Sequence, residues 1–377
     1  MKRWGCLLVI LMLLPVTAVS ETLGQGVEQL LGTLELESLD HAAEECGLLQ
    51  GDAKEILKGL ASGKMVLSAQ ETLSLVLSQA AGIFRKSLWR MTRLLVPLLV
   101  VSCAEWIRTE HEFSAKAARY AGMMMTMALL VSDLREHVAL AGETVDRMAE
   151  WMQMIFPLLV TLLAAVGGTA SSAFYQPAVI AAGGAMTTLV HRVTMPLAVS
   201  VAVLTMVGSL SEELRVSRLC RLFRQAANWT LGFGFTVFIG VMSVQGVSAA
   251  ALDGVSIRTA KYAIDNFVPI VGGMFSDTVD TLVGCSLVVH NAVGVFGLLL
   301  LLGALLVPLL RTVCTLFLYR AVAAVVEPVS NSPLCRTIGG YADVFSLLFI
   351  IQLSVGAMFL MLIAQLITVG NLTVMLR

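Results

Sequence analysis

Residues 287–310 read LVVHNAVGVFGLLLLLGALLVPLL, a stretch without Asp, Glu, Lys or Arg. As an α-helix, these 24 residues extend about 36 Å at a rise of 1.5 Å per residue. The hydrocarbon core of a bilayer is about 30 Å thick, and about 20 apolar residues cross it. The stretch therefore predicts a membrane-spanning helix and places the chain among membrane proteins.

Seven other apolar stretches support this assignment. Hydrophobic residues make up 57% of the 377 residues and charged residues only 14%, whereas soluble domains carry about 25% charged residues. This composition excludes a soluble globule and also a disordered chain, which requires low hydrophobicity. No stretch alternates like the strands of a membrane barrel, so the predicted fold class is all-α, a polytopic helical membrane protein. The other predicted spans lie near 90–107, 116–133, 152–169, 177–191, 193–210, 228–250 and 341–366.

The first twenty residues have the features of a secretory signal peptide. Lys2 and Arg3 precede a short apolar run, and the small residues Ala18 and Ser20 precede a predicted cut before Glu21. An uncleaved signal anchor is the alternative. Both readings export the residues that follow.

Residues 21–88 are predicted to form a small exported acidic helical domain. Between residues 21 and 58 there are nine acidic and two basic residues, which gives a net charge of −7. Apolar residues at helical spacing, such as Val27, Leu30, Leu31 and Leu34, predict short amphipathic helices. Residues 89–377 then form the polytopic domain, with about eight spans.

The densest basic cluster sets the orientation of these spans. It consists of Arg215, Arg218, Arg221 and Arg224. Because basic loops stay on the cytoplasmic side, the cluster is predicted to be cytoplasmic, with 134–151, 251–286 and the C-terminus outside. The same arginines could bind anionic headgroups or form a docking site for a cytoplasmic partner.

Residues 254–286 are only moderately apolar and carry Pro269 between Asp265 and Asp277. This pattern predicts a re-entrant or interfacial segment, since non-helical backbone at membrane depth must be buried in protein or face water.

Polar residues at membrane depth are the best indications of a functional site, because each is costly unless it is paired or hydrated. The densest group is the candidate membrane path or docking site, and interhelical hydrogen bonding is the alternative reading. The group comprises Gln245, Asp253, Asp265, Asp277, Asp280, His290 and Asn291.

Signatures of catalysis and metal binding fail on inspection. His111-Glu112 opens like a zinc-protease helix, but no second His follows at the required spacing. There is no G-x-S-x-G nucleophile elbow, and none of the seven cysteines forms a C-x-x-C pair. The sequence therefore predicts no catalytic residues, no metal and no cofactor, and the net charge of −1 gives no indication of nucleic-acid binding.

The second half of the chain carries a series of short motifs. They are Trp229-x-Leu231-Gly232, Thr236-x-Phe238-x-Gly240, Gln245-Gly246, Asp253-Gly254-x-x-Ile257-Arg258, Phe267-Val-Pro269, Asp280-Thr-x-x-Gly284-Cys285, Glu327-Pro328 and Gly370-Asn371-Leu-Thr373. With these motifs the chain resembles the stage III sporulation protein AE family of endospore-forming bacteria. The resemblance is most specific in residues 228–294 and covers nearly the whole chain, loosely before residue 85.

The resemblance implies a biological role that the composition alone does not indicate. Family members are expected in the mother-cell membrane around the engulfed forespore, in a channel-like complex similar to specialised secretion systems. Its partners would be membrane lipids, a cytoplasmic ATPase and ring-forming proteins. The chain would be a non-enzymatic subunit required for forespore development after engulfment. The alternative is a stand-alone secondary transporter of a small solute.

Overall fold

The fold is all-α throughout the described residues. The computed structural model describes residues 26–27, 32, 37–46, 52–63, 69–106, 112–210, 216–267, 272–327 and 333–375, and these contain no strand. The helices are α1 Glu37–Cys46, α2 Ala53–Ala61, α3 Ala69–Trp106, α4 Glu112–Ala165, α5 Thr169–Leu189, α6 Met195–Leu210, α7 Ser217–Phe267, α8 Gly272–Val326 and α9 Pro333–Met375. The predicted signal peptide, 1–20, lies outside the described residues.

Five helical stretches in the described part are long and apolar enough to cross a membrane. They are Tyr120–Ala165, Thr169–Gly208, Ser217–Thr259, Val279–Val326 and Thr337–Met375. They confirm the prediction of a polytopic helical membrane protein, although the helices are longer and fewer than the predicted spans. Seven of the predicted spans lie in these five stretches, because 116–133 joins 152–169 and 177–191 joins 193–210 in continuous helical stretches, whereas the predicted span near 90–107 coincides with the end of α3 and is not among the five.

Helix α4 is one such joined element. The predicted outer loop 134–151 is helical and continues from the predicted span 116–133 to the next. With 54 residues, α4 is about 80 Å long, far beyond the hydrocarbon thickness. Part of α4 therefore lies outside the hydrocarbon. Its central charges are exposed, at Arg135, Glu136, Glu143, Asp146, Arg147 and Glu150.

Helices α5 and α6 are joined by a single π-helical segment, Val190–Thr194. The segment ends just before Pro196, which has no N–H to donate and whose ring crowds the preceding turn. A π-turn widens the backbone locally and accommodates such a residue. The predicted spans 177–191 and 193–210 are therefore two halves of one helical rod.

Helix α9 occupies the centre of the bundle and packs against α4, α6, α7 and α8. Its side chains Phe345, Ile351 and Leu362 are fully buried. Close packing with α8 uses glycine: a Cβ on Gly294 would overlap Ile367, and a Cβ on Gly356 would overlap Leu305. Small residues let helix backbones approach closely in membranes, so these positions hold α8 and α9 together.

Helices α1 and α2, here called the N-terminal helix pair, pack against α8. The Asp40 carboxylate of α1 accepts a hydrogen bond of 2.7 Å from the Ala53 backbone N–H, at the first turn of α2. The boundary predicted at residue 88 falls inside α3, without a break in the helix. Export of this region stays a prediction.

The predicted re-entrant segment 254–286 contains the end of α7 and the beginning of α8. Residues 268–271, which include Pro269, lie outside the described part. Whether this segment re-enters the membrane stays a prediction.

Candidate functional site

Asp253 holds the beginning of α5. Its side chain is fully buried on α7, and its carboxylate accepts hydrogen bonds from the backbone N–H groups of Ala170, at 2.7 Å, and Ser171, at 3.0 Å. The first N–H groups of a helix have no partner within the helix, and the positive end of the helix dipole favours a negative charge. Asp253 therefore acts as an interhelical cap that ties α7 to α5.

The turn before this cap depends on a glycine. Gly167 has φ +103°, in the left-handed region that side chains disfavour, and it ends α4. This sharp turn brings the N-terminus of α5 to Asp253. Asp253, which belongs to one of the motifs that carry the family resemblance, thus has a clear structural role.

Tyr175 extends the contact between helices. Ser171 and Tyr175 lie four residues apart on α5, and both are fully buried. A Cβ on Gly246 of α7 would overlap the Tyr175 hydroxyl and touch Val369 of α9. Glycine at position 246 therefore lets α5, α7 and α9 meet.

His290 and Asn291 lie where α8 meets the end of α9. The His290 side chain is fully buried, and its ring lies so close to Gly370 that a Cβ there would overlap it. Asn291 donates a hydrogen bond of 3.0 Å from Nδ2 to Oδ1 of Asn371. This polar pair fixes the register of α8 against α9.

The buried polar side chains at and near these contacts, on α5, α7, α8 and α9, are here called the polar seam. Buried groups usually have a hydrogen-bond partner, and an unpaired one costs about 1–3 kcal/mol. Several polar atoms of the seam have no such partner in the described structure. They are Ser171 Oγ, Tyr175 Oη, Gln245 Oε1, both ring nitrogens of His290, Asn291 Oδ1 and Gln365 Oε1.

The seam contains four of the seven predicted site residues: Gln245, Asp253, His290 and Asn291. Asp280 is exposed. The side chains of Asp265 and Asp277 lie outside the described part, although their backbones belong to α7 and α8. The structure thus brings together the deepest polar residues, while their role as a path or docking site stays a prediction.

The predicted basic cluster has two kinds of arginine. Arg218 and Arg221 are exposed on the first turns of α7. Arg224 forms an ion pair of 2.5 Å with Asp343 of α9. Arg215 lies outside the described residues. Arg218 and Arg221 are therefore accessible, whereas Arg224 connects α7 and α9, and the use of the cluster as a docking site stays a prediction.

Sequence reasoning missed a second polar network, between α4 and α8. The Tyr319 hydroxyl donates to the Asp133 carboxylate at 2.8 Å, and the Thr315 hydroxyl lies 2.9 Å from Nε2 of His137. His137 is buried, with Nδ1 lying 2.9 Å from the Asp133 carbonyl oxygen. The helical spacing of 133 and 137, and of 315 and 319, was the available signal.

One ion pair and one further polar contact on the surface join other elements. Arg90 of α3 pairs with Glu136 of α4 at 2.7 Å, and His191 of the π segment lies 2.8 Å from Asp146. Among the described residues, no group of three or more His, Cys, Asp or Glu is arranged to hold a metal ion. The polar side chains described above cap a helix or connect two helices.

Comparison with known proteins identifies similar chains. The family model described as "Stage III sporulation protein AE" matches residues 51–370. The stage III sporulation protein AE of Bacillus subtilis (strain 168) is 31% identical over 369 residues, which cover 95% of this chain and 92% of that protein. No solved structure shows a significant match.

Proposed function

The chain belongs to the stage III sporulation protein AE family, and from this premise we propose that it is a non-enzymatic membrane subunit of a channel-like sporulation complex. The complex would link mother cell and forespore, and the subunit would be required for forespore development after engulfment. Its place would be the mother-cell membrane around the forespore.

The observation that carries the proposal is the extent of the family match. A relative named for stage III of sporulation aligns with 95% of the chain, and the family model over residues 51–370 covers four of the five candidate membrane spans and most of the fifth. A match of this extent supports a role in sporulation for the whole polytopic chain rather than for one module.

The non-enzymatic part of the proposal is supported by what the buried polar groups do. Asp253 caps α5, Asn291 pairs with Asn371, and Tyr319 pairs with Asp133. Each of these side chains connects two helices. Their arrangement suits a scaffold in the membrane.

Partners are proposed from the exposed basic surface. Arg218 and Arg221 extend from the start of α7, where they are accessible to a cytoplasmic partner. An ATPase in the mother-cell cytoplasm would dock there, and ring-forming proteins would be further partners in the complex. Lipids would cover the apolar outer face of the bundle.

A deletion strain tests the sporulation role. We expect deletion to block spore formation after engulfment and to leave vegetative growth unchanged, with rescue by the intact chain. A growth defect without a sporulation defect would contradict the proposal.

The channel complex needs its own test. Purification of the intact chain in mild detergent from sporulating cells should recover an ATPase and ring-forming proteins. The charge reversals Arg218→Glu and Arg221→Glu together should reduce ATPase recovery, with Ser217→Ala as the control. Solute uptake by the purified protein alone in liposomes would instead support a secondary transporter.

A further inference from the structure

The hydrocarbon region on α8 can be located from its charges. Residues 281–310, between Asp280 and Arg311, contain no Asp, Glu, Lys or Arg. The next interval, between Arg311 and Arg320, is too short for a crossing of about 20 residues. Any 20-residue crossing within 281–310 includes 291–300, so Leu300 lies between the middle and the end of the crossing wherever the boundaries fall.

The N-terminal helix pair lies beside α8 at this depth. The Cys46 thiol of α1 donates to the Leu300 carbonyl oxygen at 3.8 Å, and α2 also packs on α8. Gly26, eleven residues before α1, also lies against α8, because a Cβ on Gly26 would lie 3.0 Å from the Cys285 sulfur. The pair is therefore held alongside the apolar half of α8.

The two faces of the helix pair differ in character. The face toward the bundle is apolar and buried, with Leu39, Ala43, Ile56 and Leu57 each no more than 3% exposed. The other face is exposed and charged. It carries the acids Glu44, Glu45, Asp52 and Glu55 and the bases Lys54 and Lys58.

Such a face is incompatible with lipid at that depth. A charged side chain at the centre of a bilayer costs about 3 kcal/mol on insertion scales, so charged residues within membranes face protein or water-filled cavities. Four acids and two bases on one short helix pair would multiply this cost.

Helix α7 provides the contrast. Residues 225–252, between Arg224 and Asp253, contain no Asp, Glu, Lys or Arg, and every 20-residue crossing within them includes 233–244. Phe233 and Val244 are 72% and 69% exposed. This face suits lipid, so the two sides of the molecule face different surroundings at the same depth.

We propose that the charged face of the N-terminal helix pair lines a water-filled lumen within the membrane part of the complex, while α7 faces lipid. The inference rests on the proposed function, because a lumen requires a channel-like assembly. It assigns the acidic segment to the aqueous path rather than to a separate exported domain.

The first experiment tests whether the segment that precedes the helix pair lies on α8. Across a disulfide, the Cβ of one residue lies about 3 Å from the sulfur of the other, which matches the separation at Gly26. Gly26→Cys should form a disulfide with Cys285 in membranes treated with copper phenanthroline, which accepts the two electrons while two protons are released. Gly32→Cys is the control, since a Cβ there meets nothing within 4 Å.

The second experiment tests what the charged face contacts. Glu45→Cys and Val244→Cys are compared in membranes of sporulating cells, in a background that retains Cys285 and lacks the other cysteines. A thiolate reacts with a charged maleimide, and a thiol in hydrocarbon stays protonated, so Glu45→Cys should react at least about tenfold faster.

The outcomes separate the possibilities. Equal protection of both cysteines overturns the lumen, and so does a reactive Glu45→Cys without the Gly26→Cys disulfide, because the N-terminal segment would then not lie along α8. Labelling is measured only in strains whose variant supports spore formation. A failure of the lumen is thereby distinguished from a failure of the proposed function, which the deletion strain reports.

Discussion

At the residue scale, Asp253 is the polar group whose removal is expected to destabilise the protein most. Asp253→Ala leaves the N–H groups of Ala170 and Ser171 without their acceptor and removes the charge at the helix terminus. Loss of a helix cap costs about 0.5–2 kcal/mol, and hydrogen bonds to charged groups contribute about 1.5–3 kcal/mol. We expect Asp253→Ala to lower the free energy of unfolding by about 2 kcal/mol, measured by thermal unfolding of the purified chain in detergent.

Two variants calibrate this measurement. Asp253→Asn keeps one acceptor oxygen and should lose about half as much stability. Ser248→Ala, at an exposed position of the same helix, should stay within about 0.5 kcal/mol of the parent. Equal stability of Asp253→Ala and Ser248→Ala would show that the cap does not hold α5.

The pKa of Asp40 predicts that the stability of the N-terminal helix pair depends on pH. Burial raises the pKa of the Asp40 carboxyl, as does the neighbouring Asp52, and the hydrogen bond from Ala53 acts in the opposite direction. A raised pKa means that the folded state binds the proton more tightly than the unfolded chain does. Proton binding at Asp40 therefore stabilises the folded helix pair. This stabilisation is complete below the pKa of an aspartate in the unfolded chain, about 3.9, and is lost as the pH rises through the pKa of Asp40 in the folded state.

Hydrogen exchange in the first turn of α2 measures this effect. After correction for intrinsic exchange rates, protection should increase as the pH falls from 7 toward 4. Asp40→Asn keeps an acceptor for the Ala53 N–H without the charge, so it should lessen the pH dependence and increase protection at pH 7. An unchanged pH profile in Asp40→Asn would assign the effect to other acids.

At the scale of elements, the contact between α8 and α9 depends on glycines. Gly294→Ala and Gly356→Ala each introduce a methyl group that overlaps a side chain of the facing helix. Overpacking costs about 1–3 kcal/mol, which exceeds the gain of about 1 kcal/mol from alanine in a helix. We expect both variants to lower the thermal midpoint in detergent.

Gly240→Ala is the matched control for these substitutions. Gly240 is exposed on α7, and a Cβ there meets nothing within 4 Å, so only the helix propensity changes. Its thermal midpoint should stay unchanged or rise. A similar decrease in all three variants would mean that general glycine flexibility matters more than the close approach of α8 and α9.

Local pattern predicted which segments are helical and apolar, but not how they connect. The charges of residues 134–151 predict a loop, yet Leu134, Ala141, Val145 and Met148 form a buried stripe at helical spacing. That stripe was available in the sequence. The pairing of Thr315 with His137 was not, because 178 residues separate them and only the packing of α8 on α4 brings them together.

The site was predictable to a similar degree. The cost of polar groups at membrane depth identified Asp253, His290 and Asn291, all of which lie in the seam. Their partners could not be read from the sequence, since Asp253 binds backbone N–H groups rather than a side chain. The close approaches at Gly246 and Gly370 likewise follow from three-dimensional packing.

At the scale of the whole molecule, two contacts show which helix ends lie together at each end of the bundle. The Arg224–Asp343 ion pair brings the start of α7 to the start of α9, and the Asn291–Asn371 hydrogen bond brings the first part of α8 to the end of α9. Because Arg218 and Arg221 lie at the first end, the preference of basic segments for the cytoplasm predicts that this end is cytoplasmic. The end of α9 is then on the opposite side.

Labelling of single cysteines tests this orientation directly. Ser217→Cys and Glu327→Cys lie at exposed positions of the Arg218 end, and Met375→Cys replaces a side chain that is 82% exposed at the other. In non-sporulating cells that produce the chain, where no engulfment encloses its outer face, a membrane-impermeant maleimide should label Met375→Cys in intact cells and the other two only after permeabilisation. The opposite pattern would invert the molecule. Labelling of Ser217→Cys and Glu327→Cys from different sides would contradict the bundle itself, since α7 and α8 would then not share an end.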